Sequence, residues 1–375
     1  FIVSSKVFYI FALSNHNKKL MVGNKNVSLD KQTNNLFEKI AELIEQVRTK
    51  VVTAVNTAEV YTKYCIGQFI VENEQEGQER ATYGKAILKE LSTKLTNRFG
   101  SGWSVENLTL FRKFYLIYSL NSERKIVNSV YDFQKDFCLS WSHYLVLIRI
   151  KDANARSFYE IEAAQQHWSV RQLQRQYNAS LYERVALSRN KEEVMRLASE
   201  GQTIEKPADI IKNPLTLEFL GLKPDETYSE SKLESAIINR IKDFLLEMGK
   251  GFLFEARQKR FTFDEEFFYV DLVLYNRLLQ CYCLIDFKVD KLTHQDLGQM
   301  QMYVNYFNRF VKQDFEKPTI GILICREKKD ALVELTLPKE ANIYATEYQL
   351  YLPNKQLLEN KLKEWIKEYE NEQNF

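Results

Sequence analysis

FFYVDLVLY (Phe267–Tyr275) and, beyond residues 276–280, CYCLIDFKV (Cys281–Val289) read as the two arms of one β-hairpin. Both runs are rich in aromatic and β-branched side chains, and the polar Asn276-Arg277 interrupts them. With an even-numbered loop centred between Leu278 and Leu279, Tyr275 falls opposite Tyr282, Val273 opposite Leu284 and Asp271 opposite Asp286. Directly opposed residues of an antiparallel pair have Cβ atoms roughly 4.5–5.5 Å apart. Two carboxylates are thereby brought together within apolar strands, and the two-residue period places Lys288 on the same face. Like charges this close are unfavourable unless something positive lies between them. A divalent cation such as Mg²⁺, with its preference for hard oxygen ligands, meets that need.

Working outward from the hairpin, a helix is expected over 232–248, closed by Gly249 and Gly251, and a strand over 252–263. A helix is expected over His294–Phe310, followed by PTIGILIC (Pro318–Cys325), apolar on both faces as an interior strand should be. Strand 281–289, this helix and strand 318–325 make a right-handed βαβ unit. A short strand near Ile343–Glu347 extends the sheet, and Asn354 caps a last helix with Leu358, Leu362, Trp365 and Tyr369 on one face.

Upstream, from Asn34 to Asn190, apolar residues recur at helical spacing and strand-like alternation is absent. Leu36, Ile40, Leu43, Ile44, Val47 and Val51 form one stripe of a long first helix, and Tyr61, Tyr64, Cys65 and Phe69 a second. Gly100-Ser101-Gly102 ends a helix, Ser104 caps Val105–Tyr118, Ser140 or Ser142 opens the segment through Ile150, and Ser169 caps Val170–Tyr177. The expected divisions are an extraneous or disordered extension (1–33), a helical domain for DNA binding or dimerisation (34–190), a linker (191–225), a mixed α/β domain (226–352) and a final helix (353–375).

Composition narrows the possibilities. A chain of 375 residues suits two domains, and 52 basic against 50 acidic side chains give a net charge of +2, so any surface for nucleic acid has to be local. The five cysteines have no zinc-like spacing; Cys281 and Cys283 share one strand face and read as apolar packing in a reducing cytoplasm. Val7–Leu13 is apolar but far short of the ~20 residues that span a bilayer. The chain does not begin with Met, and residues 1–20, ahead of Met21, read as an upstream extension without a structural role. No membrane association is expected.

Asp271, then Asp286-x-Lys288 on the next strand, resembles the PD-(D/E)XK nuclease motif. Longer stretches, GKGFLFEARQKRF (Gly249–Phe261), FYVDLVLYN (Phe268–Asn276), CYCLIDFK and LGQMQMYVNYF (Leu297–Phe307), resemble the YhcG-type PD-(D/E)XK nuclease family of bacteria. So do Arg112-Lys113-Phe114-Tyr115, Leu139–Tyr144 and Trp168–Arg171 upstream, and the resemblance covers about residues 35 to 352. It implies an all-helical amino-terminal domain followed by a restriction-endonuclease-like mixed sheet, an endonuclease that hydrolyses DNA, and Mg²⁺ or Mn²⁺ as cofactor. It also implies that Asp271, Asp286 and the backbone carbonyl of Phe287 hold the metal while Lys288 assists the attacking water. Burial would lower the pKa of such a lysine.

Glu234 matches the family's metal-facing glutamate, but Ser231-Lys232-Leu233-Glu234 is equally a capping box. Gln299-x-x-x-Tyr303 resembles the Gln-x-x-x-Tyr element of RecB-like nucleases and would face substrate, against a reading in which Tyr303 packs and Gln299 is solvated. Arg257, Gln258 and Arg260 are candidates for the phosphate backbone, with alternation sending Arg257 and Lys259 to one face and Gln258 and Arg260 to the other. The family's small Val-Gly pair ahead of Arg-Gln is here Glu255-Ala256. His294 reads as a helix-start residue. Arg171 and Arg175, on a serine-capped helix, and Arg112 with Lys113 are candidates for nucleic-acid contact or for an ordinary solvated face. A silent nucleic-acid-binding or assembly protein on a nuclease fold, or an RNA-processing nuclease, stays open as an alternative.

Overall fold

The computed structural model describes residues 26–76, 81–119, 137–187, 191–223, 226–338 and 340–373. The chain divides into two units, Phe1–Val55 and Asn56–Phe375. Helix α1 (Asn26–Glu76) begins eight residues ahead of the expected Asn34 and runs without interruption through both apolar stripes. The first stripe, Leu36 to Val51, is exposed throughout. In the second, Tyr61 and Tyr64 pack on the helical core as expected, whereas Phe69 points outward and Val60, Ile70 and Val71 are buried in its place.

Among the described residues, six further helices follow up to residue 187: α2 (Ala81–Phe99), α3 (Val105–Ser119), α4 (Trp141–Leu147), α5 (Ala153–Gln165), α6 (Val170–Asn178) and α7 (Leu181–Leu187). The capping residues act as their chemistry suggests. The Ser104 hydroxyl accepts from Asn107 N at 3.3 Å, and Ser169 forms a capping box with Gln172. Phe114 is the hub of the core: its ring meets those of Phe137, Trp141 and Tyr144 at centroid distances of 5.5, 5.4 and 5.1 Å. Residues 191–225, read as a linker, are for the most part structured. Helix α8 (Lys191–Glu200) buries Val194 and Leu197 in the same core, and the Ser157 hydroxyl donates to Ala198 O at 2.6 Å. A charged surface face around an apolar i, i+3 pair looks linker-like in sequence yet packs well as a helix.

The α/β region opens with β1 (Leu215–Thr216) and continues with α9 (Glu230–Asn239), α10 (Ile241–Met248), β2 (Phe252–Phe263), β3 (Glu266–Asn276), β4 (Cys281–Lys291), α11 (His294–Phe310), β5 (Ile320–Glu327), α12 (Asp330–Thr336), β6 (Ile343–Gln349) and α13 (Lys355–Gln373). The six strands form one mixed sheet in the order β1-β6-β5-β4-β3-β2. The β3–β4 hairpin has the expected register, Tyr275↔Tyr282 and Val273↔Leu284, and β4, β5 and β6 run parallel. Its four-residue loop is pinned by Asn276, whose Oδ1 accepts from Leu278 N and Leu279 N.

The sheet is covered on both faces. Cys283, Ile285 and Phe287 of β4 pack with Leu233, Ile237 and Phe244 of α9 and α10, so the cysteines are core residues as expected. Leu284 of β4 packs with Leu297, Met300 and Val304 of α11. Gly321 of β5 lets α11 approach closely, since a Cβ there would lie 2.6 Å from Met300 Cγ. The helix expected over 232–248 is two helices, because Arg240 (φ −121°, ψ 31°) leaves helical geometry between α9 and α10. At the far end, Asn354 Oδ1 caps α13 by accepting from Leu357 N, and Leu362 returns to the helical core.

The helical and α/β regions are joined by buried charge. Glu247 of α10, fully buried, meets Arg184 at 2.6 Å and Arg175 at 3.2 Å, accepts from Thr216 N at 3.0 Å, and its backbone carbonyl takes Lys212 Nζ. Burial alone would raise the Glu247 pKa, but Arg184, Lys212 and Arg175 outweigh it and hold the carboxyl down to about 2. Arg175 also pairs with Glu218 at 3.0 Å and donates to Thr216 O. This corrects the reading of Arg175 as a nucleic-acid contact: its guanidinium stitches α6 to β1 and α10. Arg171 on the same helix is exposed.

Candidate active site

The strands that carry the two aspartates part where the carboxylates need room. The β3–β4 ladder runs to Leu272↔Ile285, and one residue further Asp271 Oδ2 accepts from the backbone N–H of Phe287 at 2.9 Å. The expected opposition of Asp271 and Asp286 lies one step beyond this ladder, and the Asp271 charge acts on Asp286. Asp286 is only 4% exposed, and burial, with the neighbouring Asp271 second, pushes its pKa up to about 7 against the opposing pull of Lys288.

Lys288 stands on the same strand face, its Nζ 2.8 Å from Asp286 Oδ2, 3.7 Å from Glu230 Oε2 and 3.9 Å from Asp296 Oδ1. Burial pulls the Lys288 pKa down, but these carboxylates prevail and it lies above its ordinary value. The lowering of the Lys288 pKa expected from burial is thus reversed. Lys288 is an ammonium group, suited to holding charge or orienting a water rather than to removing a proton.

The capping-box reading of Glu234 does not hold. Ser229, not Ser231, caps α9, its hydroxyl accepting from Lys232 N, which leaves Glu234 a full turn inside the helix. Its carboxylate turns to the sheet, meeting Arg257 Nε at 2.5 Å and Gln258 Nε2 at 2.8 Å. Strict alternation on β2 would forbid consecutive residues from sharing a partner. A bulge lies between Phe254 and Ala256, and Gln258 adopts φ 46°, in the left-handed region. Gln258 Nε2 also donates to Asp271 Oδ1 at 2.9 Å, so this amide bridges the glutamate of α9 to the aspartate of β3. Gln258 is accordingly committed to carboxylates and is not free to grip a phosphate, as its sequence position suggested. Arg257, partly exposed, is held by Glu234 and by Ser235 Oγ at 3.1 Å.

On α11, capped by Thr293 with Asp296, Gln299 Nε2 donates to Tyr303 Oη at 2.5 Å. Tyr303 is buried, which excludes direct contact with nucleic acid; burial first, then the nearby Asp286 charge, pushes its pKa up to about 12. Gln299 is exposed above it, and His294 is the exposed first residue of the helix. Arg260 stacks over the Phe267 ring at 3.8 Å, and Lys113 is exposed and Arg112 half-buried on α3, a different element from those that carry the carboxylates. Glu230 and Asp296 escaped the sequence reading. The i, i+4 relation of Glu230 to Glu234 and the Thr293-x-x-Asp296 capping pattern were the available signals.

Among the described residues no group of three or more His, Cys, Asp or Glu is disposed to hold a metal ion. Nor is the carboxylate pair at the large apolar groove of about 650 Å³, which is lined by α1 and α2 residues such as Ile66, Ile70, Leu88 and Leu91.

Residues 208–363 match the YhcG PDDEXK nuclease domain, and residues 39–184 match the DUF1016 N-terminal domain. An Escherichia coli (strain K12) protein named "Putative nuclease YhcG" is 37% identical over 351 residues, 87% of this chain and 92% of that protein. The chain belongs to the YhcG PDDEXK nuclease family. A repair endonuclease from Pyrococcus abyssi, 18% identical over 34% of this chain and 50% of that one, superposes with a TM-score of 0.23, too low to bear on fold or function. In this member of the family the helical region and the mixed sheet are those the resemblance implies. Among the described residues no helix is long and apolar enough to cross a membrane.

Proposed function

We propose that this family member is an endonuclease that hydrolyses phosphodiester bonds in DNA with Mg²⁺ or Mn²⁺ at Asp271 and Asp286. The observation that carries the reading is the buried Asp286, crowded by Asp271 and balanced by the Lys288 ammonium at 2.8 Å. Two adjacent carboxylates of hard oxygen, one of them buried and half inclined to hold a proton, suit a divalent cation, and the Phe287 carbonyl, water and substrate phosphate are candidates for its other positions. Glu234 supports this set through Gln258. When bound, the cation lowers the pKa of a water and offsets charge at the phosphate.

The chain's own groups have distinct tasks. Asp271 is oriented by Phe287 N–H and Gln258, so its carboxylate needs no rearrangement to act as a ligand. The Lys288 ammonium lies where it can orient the attacking water or hold a phosphate oxygen. Gln299, exposed on α11, is the candidate for substrate contact, with Tyr303 holding its amide. The exposed Arg171, Arg260 and Lys113, with Arg257 and Arg112, are candidates for the phosphate backbone, where contacts fix position rather than sequence. The cysteines of the described residues are free thiols, which suits a reducing compartment such as the cytoplasm.

Cleavage of supercoiled plasmid, branched DNA, single-stranded DNA and RNA of matched sequence, with Mg²⁺ and with Mn²⁺, tests the substrate class. Cleavage of DNA by wild type and not by Asp286→Ala supports the proposal. Cleavage of RNA alone assigns an RNA-processing nuclease instead. No cleavage of any substrate, with DNA bound, favours a silent binding protein.

A further inference from the structure

The apolar face of α1 within the first unit has a pattern of its own. Phe37, Ile40, Ile44, Val47, Val51 and Ala54 follow one another at spacings of three and four residues, the a and d positions of two and a half heptads. All are exposed; the large ones range from 46% to 64%. An apolar seam of about 30 Å along a helix, with Leu36, Leu43, Val52 and Val55 exposed beside it among charged and polar residues, does not favour solvent.

Charge and side-chain volume say what would cover it. Residues 36–45 carry Glu38, Glu42 and Glu45 against Lys39, a net of −2, whereas residues 46–55 carry Arg48, Lys50 and no acid, a net of +2. A second copy laid parallel would set acid on acid and base on base. Laid antiparallel, it sets each acidic half on a basic half. The antiparallel register that pairs a with d opposes Phe37 to Ala54, Ile40 to Val51 and Ile44 to Val47, so every layer holds a similar volume. The parallel register would stack Phe37 on Phe37 and Ala54 on Ala54.

We propose that the chain self-associates as a two-fold dimer through residues 36–55 of α1, packed antiparallel against the same segment of a second copy. The interface is isologous, as a two-fold axis requires. It is independent of the nuclease reading.

Sedimentation equilibrium of the full chain over a range of concentrations reads the stoichiometry. A concentration-dependent dimer is expected, abolished by Ile44→Glu/Val47→Glu while helical content and urea midpoint stay near wild type. Orientation is read by cysteine cross-linking in a Cys138→Ser background. Ile40→Cys protein mixed with Val51→Cys protein should form the mixed disulfide on mild oxidation, and Ile40→Cys alone should not. A monomer at all concentrations overturns the proposal, as does a dimer indifferent to Ile44→Glu/Val47→Glu, or self-cross-linking of Ile40→Cys.

Discussion

Gln258 and Asp271 face each other across β2 and β3 through side chain rather than backbone, Gln258 Nε2 donating to Asp271 Oδ1 at 2.9 Å. The ladder pairs Arg257 with Leu272 and Lys259 with Val270, and between them Gln258 turns to φ 46°. That turn brings one amide to Glu234 and Asp271 together. Groups that orient ligands in this way typically matter by about 10- to 100-fold in metal affinity or activity.

Gln258→Ala and Gln258→Gly should therefore both lower the cleavage rate by about 10- to 100-fold and raise the Mg²⁺ concentration needed for half-maximal rate. Their stabilities should differ: glycine accepts the left-handed backbone, so Gln258→Gly should unfold about 1 kcal/mol later than Gln258→Ala in urea. Equal stability of the two would argue against the strained backbone, and unchanged Mg²⁺ dependence against the bridge.

In the proposed reaction Lys288 serves as a charge. Replacement by alanine should reduce single-turnover cleavage by about 10²- to 10³-fold with little change in DNA affinity. Lys288→Arg should restore little, because a planar fork does not fit a place built for a compact ammonium at 2.8 Å from Asp286. Full activity of Lys288→Ala would remove Lys288 from the reaction.

Glu247 governs acid stability. Its folded pKa, about 2, lies below the ordinary 4.5, so the group contributes stability that is complete above about pH 4.5 and is lost as pH falls toward about 2. The contribution is about 3 kcal/mol. Glu247→Gln should be destabilised by about 3–5 kcal/mol at pH 7, since it strands Arg184 and Arg175, and its deficit against wild type should shrink as pH falls below about 4.5. Urea denaturation across pH 3–7 measures both; a deficit independent of pH would contradict the assignment.

Most of the sheet was legible because its strands carry strong alternation or are apolar throughout. β2, β3, β4 and α11 lie where periodicity puts them, and the hairpin register followed from loop parity alone. The catalytic candidates were legible as far as parity reaches, which is one face of β4. What parity cannot give is a local departure from it. The bulge before Ala256 and the left-handed Gln258 put two consecutive side chains on one glutamate, and no residue type there demanded that. Arg175 was illegible for another reason: a solvated arginine and one buried against Glu247 look alike in sequence until the partner helix is placed.

Arg171 and Arg175 should consequently separate. Arg175→Ala should cost about 2 kcal/mol of stability through loss of its partly buried pairs with Glu218 and Glu247. Arg171→Ala, exposed, should leave stability within about 0.5 kcal/mol. Paired urea titrations decide it, and the reverse order would place Arg175 in solvent.

The most direct measurement is single-turnover cleavage of a DNA duplex with saturating Mg²⁺ by wild type, Asp271→Asn and Asp286→Asn, alongside DNA affinity of each. Both variants should bind DNA as wild type does and cut at least about 10³-fold more slowly, as expected when a metal-holding carboxylate is lost. Cleavage by either variant at the wild-type rate would contradict the assignment of this carboxylate pair as the hydrolytic centre.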